Sequence, residues 1–196
     1  IWIRDLARGI TSRFTFEPEL EVSPVWSPDG RRIAYSKAGK VLDIFVKDAA
    51  GTGEPVEILK SAENKVVTDW SKDGAWLVYS SQNKDTSWDL WALPMHGADP
   101  KPIPLARTKF AEFGASLSPD GKFLAYRSNE AGRGEIYVQE FPEARSKRQV
   151  SANGGADPFW KGDGRELYYR GPDNRIMAAP VKTGATYPSS SSTCRD

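Results

Sequence analysis

The sequence predicts an all-β fold: a β-propeller of four-stranded antiparallel blades, about four of them in 196 residues. Three observations lead there. The first is a repeat: WSPDGRRIAYS begins at Trp26, WSKDGAWLVYS at Trp70, LSPDGKFLAYR at Leu117 and WKGDGRELYYR at Trp160. The second is its period, about 45 residues, which is the spacing of propeller blades. The third is that each copy is followed by further short apolar runs of strand character, enough for four strands per unit.

Each element has a physical reason. An apolar residue ends the first strand, an Asp-Gly pair makes the turn because both residues tolerate positive φ, and an alternating run follows with Tyr35, Tyr79, Tyr126 and Tyr169 in register. Third strands are read at Asp43–Val46, Asp89–Ala92, Glu135–Val138 and, more degenerate, Arg175–Ala178. PVEILK (55–60), PIPLA (102–106) and RQVSA (148–152) read as outer strands, where proline is tolerated because one side of the ladder is unpaired. The chain thus divides into the end of a split blade (1–21), three blades (22–64, 65–110 and 111–154), an incomplete blade (155–182) and a Ser-rich flexible tail (183–196). A jelly roll or immunoglobulin-like sandwich does not predict the same turn four times at near-constant period. Helical solenoids are excluded by the period-two alternation and by 17 Gly and 14 Pro.

Composition narrows the function classes. Hydrophobic residues make up 39% and charged residues 27%, and no apolar run approaches the length of a membrane helix. A formal charge of +1 gives no global field to attract a phosphate backbone, so nucleic acid is not an expected partner. The single cysteine, Cys194, permits no internal disulfide and no thiolate metal cage.

The ends carry an expectation about assembly. Ile1–Asp5 aligns with Ile44–Asp48, so the chain opens in the third strand of a blade and continues through the fourth near residues 12–16. The last unit supplies three strands, and its outer strand is expected to be missing. Open edges invite pairing, so the terminal strands are expected to close on each other, within one chain as a four-bladed ring or in a homodimer as an eight-bladed ring.

The WSPDGRRIAYS repeat followed by DIFV resembles the WD40-like repeat of TolB and of the propellers that cover prolyl oligopeptidase-type enzymes. From IWIRDLARG through WDLWALPMHG to RIMAAPVKTG, the chain is similar to the C-terminal propeller of bacterial membrane-anchored serine/threonine protein kinases. The resemblance implies a periplasmic or other extracytoplasmic location, and a sensory or scaffold role within a larger protein. No kinase motif is present, so phosphoryl transfer is excluded for this chain.

The residues themselves favour binding over catalysis. A G-x-S-x-G nucleophile elbow is absent, the nearest string being Gly114–Ser118, and His96 is the one histidine. Asp29, Asp73, Asp120 and Asp163 read as turn residues, and Trp26, Trp70 and Trp160 as fillers between blades. Asp43, Asp89 and Glu135 open the third strands, bonding to nearby backbone or lining a face. Propeller ligands sit where blade-to-blade loops and inner hairpin loops meet at one channel mouth. That location nominates Glu19, Glu63, Asn64, Lys65, Lys109, Glu112, Asn129 and Asp157 for a protein, a peptide or a small polar ligand. No cofactor is expected, with a channel-bound cation such as calcium left open. The alternative is a small hydrolase in the channel, using Glu63, Glu112 or Asp157 with a metal, or a Ser116–His96 pair.

Overall fold

The computed structural model describes residues 1–97, 99–181 and 193–194. Among them are one two-stranded and four four-stranded antiparallel sheets. The first holds β1 (Trp2–Arg4) and β2 (Thr11–Arg13). The second holds β3 (Glu21–Trp26), β4 (Arg32–Ala38), β5 (Leu42–Asp48) and β6 (Val56–Leu59), the third β7 (Lys65–Trp70), β8 (Trp76–Asn83), β9 (Ser87–Pro94) and β10 (Ile103–Ala106). The fourth holds β11 (Glu112–Leu117), β12 (Phe123–Ser128), β13 (Glu135–Glu140) and β14 (Arg148–Gln149). The last holds β15 (Ala156–Trp160), β16 (Glu166–Arg170), β17 (Ile176–Pro180) and β18 (Thr193–Cys194). In each full sheet the strands lie in chain order, which is the up-and-down meander of a propeller blade.

Alternation along these strands buries one apolar set against each neighbouring sheet. Val46, Val67, Trp70, Leu77 and Tyr79 join the second sheet to the third; Val78, Leu90, Leu117, Leu124 and Tyr126 join the third to the fourth. Ile136, Val138, Leu167 and Tyr169 join the fourth to the last. The recurring tyrosines are core residues: Tyr35, Tyr79, Tyr126 and Tyr169 are all buried.

The repeated turn works differently from the expected two-residue hairpin. Gly30, Gly74, Gly121 and Gly164 have φ near +70°, whereas none of the preceding aspartates has positive φ. The loop is longer: in the first copy Ser27 and Arg32 close it through Ser27 N–H to Arg32 O, and Gly30 N–H returns to Ser27 O. Glycine alone takes the left-handed position. The aspartate instead braces the turn, Asp73 Oδ1 accepting from Ser71 Oγ (2.6 Å) and Ala75 N–H (2.9 Å), while Ser71 Oγ accepts from Trp76 N–H (2.9 Å). Ser27–Asp29 and Ser118–Asp120 repeat the arrangement. Because Ser71 is buried, Ser71→Ala is expected to lower stability by about 1 kcal/mol in urea denaturation.

Two end expectations are corrected. The outer strand expected to be missing from the last sheet is present: Met177 pairs with Cys194 and Ala178 with Thr193, because β17's free ladder accepts any segment with backbone donors and acceptors. That edge therefore has no vacancy for strand exchange at these residues. The rest of the tail, 183–192 and 195–196, lies outside the described residues. Trp26 is the second correction. Trp70 is 4% exposed and Trp160 is half-buried, but Trp26 is 49% exposed. The tryptophan at this position packs on the inner strands of the preceding sheet, and ahead of Trp26 stand only β1 and β2.

Candidate functional site

The first strands of the four full sheets, β3, β7, β11 and β15, stand side by side. Each carries an irregularity in its pairing with the second strand: between Val22 and Val25, Val67 and Asp69, Phe113 and Ser116, and Ala156 and Phe159. Ser23, Gly114 and Asp157 have positive φ there. A bulge re-aims side chains and interrupts the ladder, which is also why Pro24 and Pro158 are tolerated within these strands.

The bulged strands surround an apolar groove of about 700 Å³ lined by Val25, Val67, Trp88, Phe113, Pro158 and Phe159 among others. Its size is that of a ligand cleft. Arg127 lies over the Phe113 ring at 5.0 Å, and Phe159 rests on Tyr168 with centroids 5.2 Å apart. Next to it, a polar depression of about 530 Å³ is lined by Glu63, Asn64, Gln82, Asn83, Lys84, Asp85, Thr86 and Lys109, and adjacent residues Ser87 and Trp88 join the two.

The residues nominated from sequence fall into separate groups. Glu63, Asn64 and Lys109 meet in the polar depression. Glu63 accepts from Ser81 Oγ and Asn83 Nδ2, both at 2.7 Å, and Asn64 accepts from Leu42 N–H at 2.8 Å, so these two are held in place. Asp157 lines the apolar groove, with its carboxylate held 2.7 Å from both Nε and a terminal nitrogen of Arg170. Glu19 and Asn129 are exposed, and Asn129 accepts from Ala111 N–H at 2.9 Å. Lys65 and Glu112 are each 1% exposed and belong to the junctions between sheets.

Those junctions share a plan with different charges. Lys65 Nζ lies 2.8 Å from Asp43 Oδ1 and donates to Ser61 Oγ (2.9 Å) and Glu63 O (2.6 Å). Glu135 is met by Arg133 Nε and Gly154 N–H at 2.7 and 2.9 Å, and by Ser151 Oγ. At the middle junction, Glu112 stands where Lys65 does in its sheet, at the first residue of the first strand, and Asp89 stands where Asp43 does. Burial pushes both Glu112 and Asp89 upward, and the Asp89 charge adds to the rise at Glu112. Asp89 Oδ1 and Glu112 Oε2 are buried without a hydrogen-bond partner, and Arg107 Nε reaches Asp89 Oδ2 only at 3.8 Å.

The catalytic alternatives are not assembled. His96 is exposed, while Ser116 bonds to Asp69, and no hydrogen bond joins the two. Among the described residues no group of three or more His, Cys, Asp and Glu side chains is gathered for a metal ion. No helix of the described residues is long and apolar enough to cross a membrane. Sequence reasoning named Asp157 near this site, but missed Val25 and Phe159. Their signal is positional: each stands one residue before its repeat's tryptophan, Trp26 or Trp160, just past the bulge.

Meandering sheets with bulged inner strands around an apolar groove define a β-propeller-type scaffold. No family model matches the chain. It is similar to the Tol-Pal system protein TolB of Francisella tularensis (29% identity over 117 residues, 58% of this chain and 26% of that protein). It is also similar to the uncharacterised protein Atu1656 of Agrobacterium fabrum (26% over 155 residues, 78% of this chain and 51% of that one). The chain therefore spans about a quarter and about half of the length of these relatives. Among solved structures, TolB from Acinetobacter baumannii superposes with a TM-score of 0.70 at 20% identity, covering 95% of this chain and 47% of that one. A Mycobacterium tuberculosis puromycin-hydrolyzing peptidase superposes with a TM-score of 0.70 at 17% identity over 94% of this chain and 30% of that one, a likeness of fold alone. The chain is thus similar to TolB in sequence and has the fold of its β-propeller.

Proposed function

We propose that this chain is a non-catalytic interaction module that takes an extended protein or peptide segment in the groove between β3, β7, β11 and β15. Apolar anchors enter between Val25, Trp88, Phe113 and Phe159, and the flanking polar residues of the ligand meet Glu63, Asn64 and Lys109. The single observation carrying this reading is the groove itself: its walls are apolar, while the polar groups that give specificity sit at one side. An extended segment suits it because rigid sheets hold the walls in place and little ordering is needed beyond the ligand's own. By resemblance to TolB and to the kinase-linked propellers, the module works outside the cytoplasm as a sensory or scaffold part of a larger protein.

The hydrolase alternative has the peptidase neighbour in its favour as to fold, and no catalytic grouping among the described residues. The test is selection of random peptides on the wild type and on the double variant Trp88→Ser/Phe159→Ser, whose sites are partly exposed. Peptides with two or three apolar anchors in an extended run are expected to bind the wild type and to lose at least tenfold in affinity on the variant, with Tm unchanged. Enrichment of peptides that bind both proteins equally would remove the groove as the site.

A further inference from the structure

Two arginines stand at the same place in the repeat and meet different surroundings. Arg127 follows Tyr126 in β12 and is paired across the ladder with Phe113; Arg170 follows Tyr169 in β16 and is paired with Ala156. One residue further along the first strand, at the bulge, the fourth sheet has Gly114 and the last sheet has Asp157, both with positive φ (65° and 51°). In the last sheet the arginine meets its acid: Nε and a terminal nitrogen of Arg170 both lie 2.7 Å from Asp157 Oδ2. In the fourth sheet glycine carries no carboxylate. Arg127 Nε is buried without a hydrogen-bond partner, and Arg127 forms no ion pair among the described residues.

The Arg127 guanidinium is nevertheless held in place. It lies over the Phe113 ring, 5.0 Å from the centroid, and packs against Gly134 so closely that a side chain at 134 has no room. Among the described residues it is the one arginine that is not exposed. A partly buried cation without a counter-charge is destabilising, so its retention calls for an acid from elsewhere. Space for one exists. Phe113 and Gly114 both line the apolar groove, and apart from the chain neighbours nothing lies within 4 Å of the place a Cβ on Gly114 would take. Asp157, the one charged residue in the groove's lining, is already engaged by Arg170.

We propose that Gly114 and Arg127 form a carboxylate-binding subsite in the groove, where the ligand supplies the acid that Asp157 supplies to Arg170. This rests on the groove being a binding cleft and names one part of its ligand: an apolar anchor beside a carboxylate, from an acidic side chain or a chain end. The guanidinium is a planar fork of donors, and stacking on Phe113 fixes its plane, which favours a bidentate carboxylate over the single oxygen of an amide. The apolar walls exclude water from the pair and strengthen it.

The probe is 3-phenylpropanoate, whose ring is the anchor, compared with the uncharged 3-phenylpropanamide by chemical-shift titration of the full chain. Wild type is expected to bind the acid at least about tenfold more tightly than the amide. Arg127→Met keeps a long side chain on Phe113 and is expected to bind the two equally. Gly114→Asp, at a φ like the one Asp157 adopts, gives Arg127 an acid of the chain's own and is expected to cancel the preference as well, without touching the packing of Arg127. Equal binding of acid and amide by wild type, no binding of either, or a preference that survives Gly114→Asp would overturn the subsite. Peptide selection separates this from the groove itself: peptides that need Trp88 and Phe159 but carry no acid near their anchors leave the groove standing and remove the subsite. Where an acid is selected, amidating the chain end or exchanging the acidic side chain for its amide tells which carboxylate is used.

Discussion

Lys65→Ala is expected to destabilise the protein by about 3–5 kcal/mol, the cost of leaving a buried charge without its partner. Lys65 Nζ is enclosed at the junction of the second and third sheets, 2.8 Å from Asp43 Oδ1 and bonded to Ser61 Oγ and Glu63 O. Removing the ammonium strands the Asp43 carboxylate, which is 9% exposed, and frees two acceptors in the loop leading to β7. Urea denaturation of the variant should show a lower midpoint at unchanged slope. The double variant Asp43→Leu/Lys65→Met replaces the pair with apolar atoms of similar reach and is expected to recover most of the loss, since a buried ion pair repays little more than its own desolvation. A single-variant loss below about 1 kcal/mol would mean that water enters the junction and solvates Asp43.

Glu112→Gln is expected to act in the opposite direction, stabilising the protein by about 1–3 kcal/mol at neutral pH. Glu112 and Asp89 are two buried carboxylates, and each has an oxygen without a partner. Burial raises both in the fold, and like charge raises Glu112 further. The folded state therefore holds protons at this junction more tightly than the unfolded chain does. The stability that protonated Glu112 contributes is fully present below its unfolded value, near 4.5, and is lost as pH rises through the higher folded value. The amide does not titrate, so the variant's advantage should be present at pH 7 and vanish toward pH 4. Denaturation curves for both proteins across that range check it. An advantage that is constant with pH would assign the gain to hydrogen bonding by the amide instead of to relief of charge.

Much of the fold was legible because the repeat is spelled out four times in residues that fail visibly when misplaced. The Asp-Gly pair fixed each turn, and Tyr35, Tyr79, Tyr126 and Tyr169 fixed the second strands and their buried face. The turn's geometry was not legible, because tolerance of positive φ by aspartate does not say whether it is used, and loop closure by Ser27 and Arg32 depends on pairing. Trp26 was misread because burial belongs to a pair of sheets, and its own strand looks the same whether or not a neighbour is present. The site was less legible still. Loop charges such as Glu63 and Lys109 could be assigned to a rim by topology, but Lys65 and Glu112, one residue inside the strands, turn into the junctions. The apolar wall was hidden because Val25 and Phe159 read as ordinary strand residues until the bulges place them along the groove.

The order of contacts between sheets has a consequence for how the molecule comes apart. Extensive packing links each sheet to the next along the chain, as between β3 and β7, β7 and β11, and β11 and β15. Stability in such a linear arrangement is a sum of local terms and nearest-neighbour couplings. Internal sheets gain two couplings, and the sheet at each end gains one. Opening then proceeds inward from the ends, as a zip loosens. The β1–β2 unit, two short strands held mainly through Phe14 against Ile33 and Tyr35, is the first tooth to release.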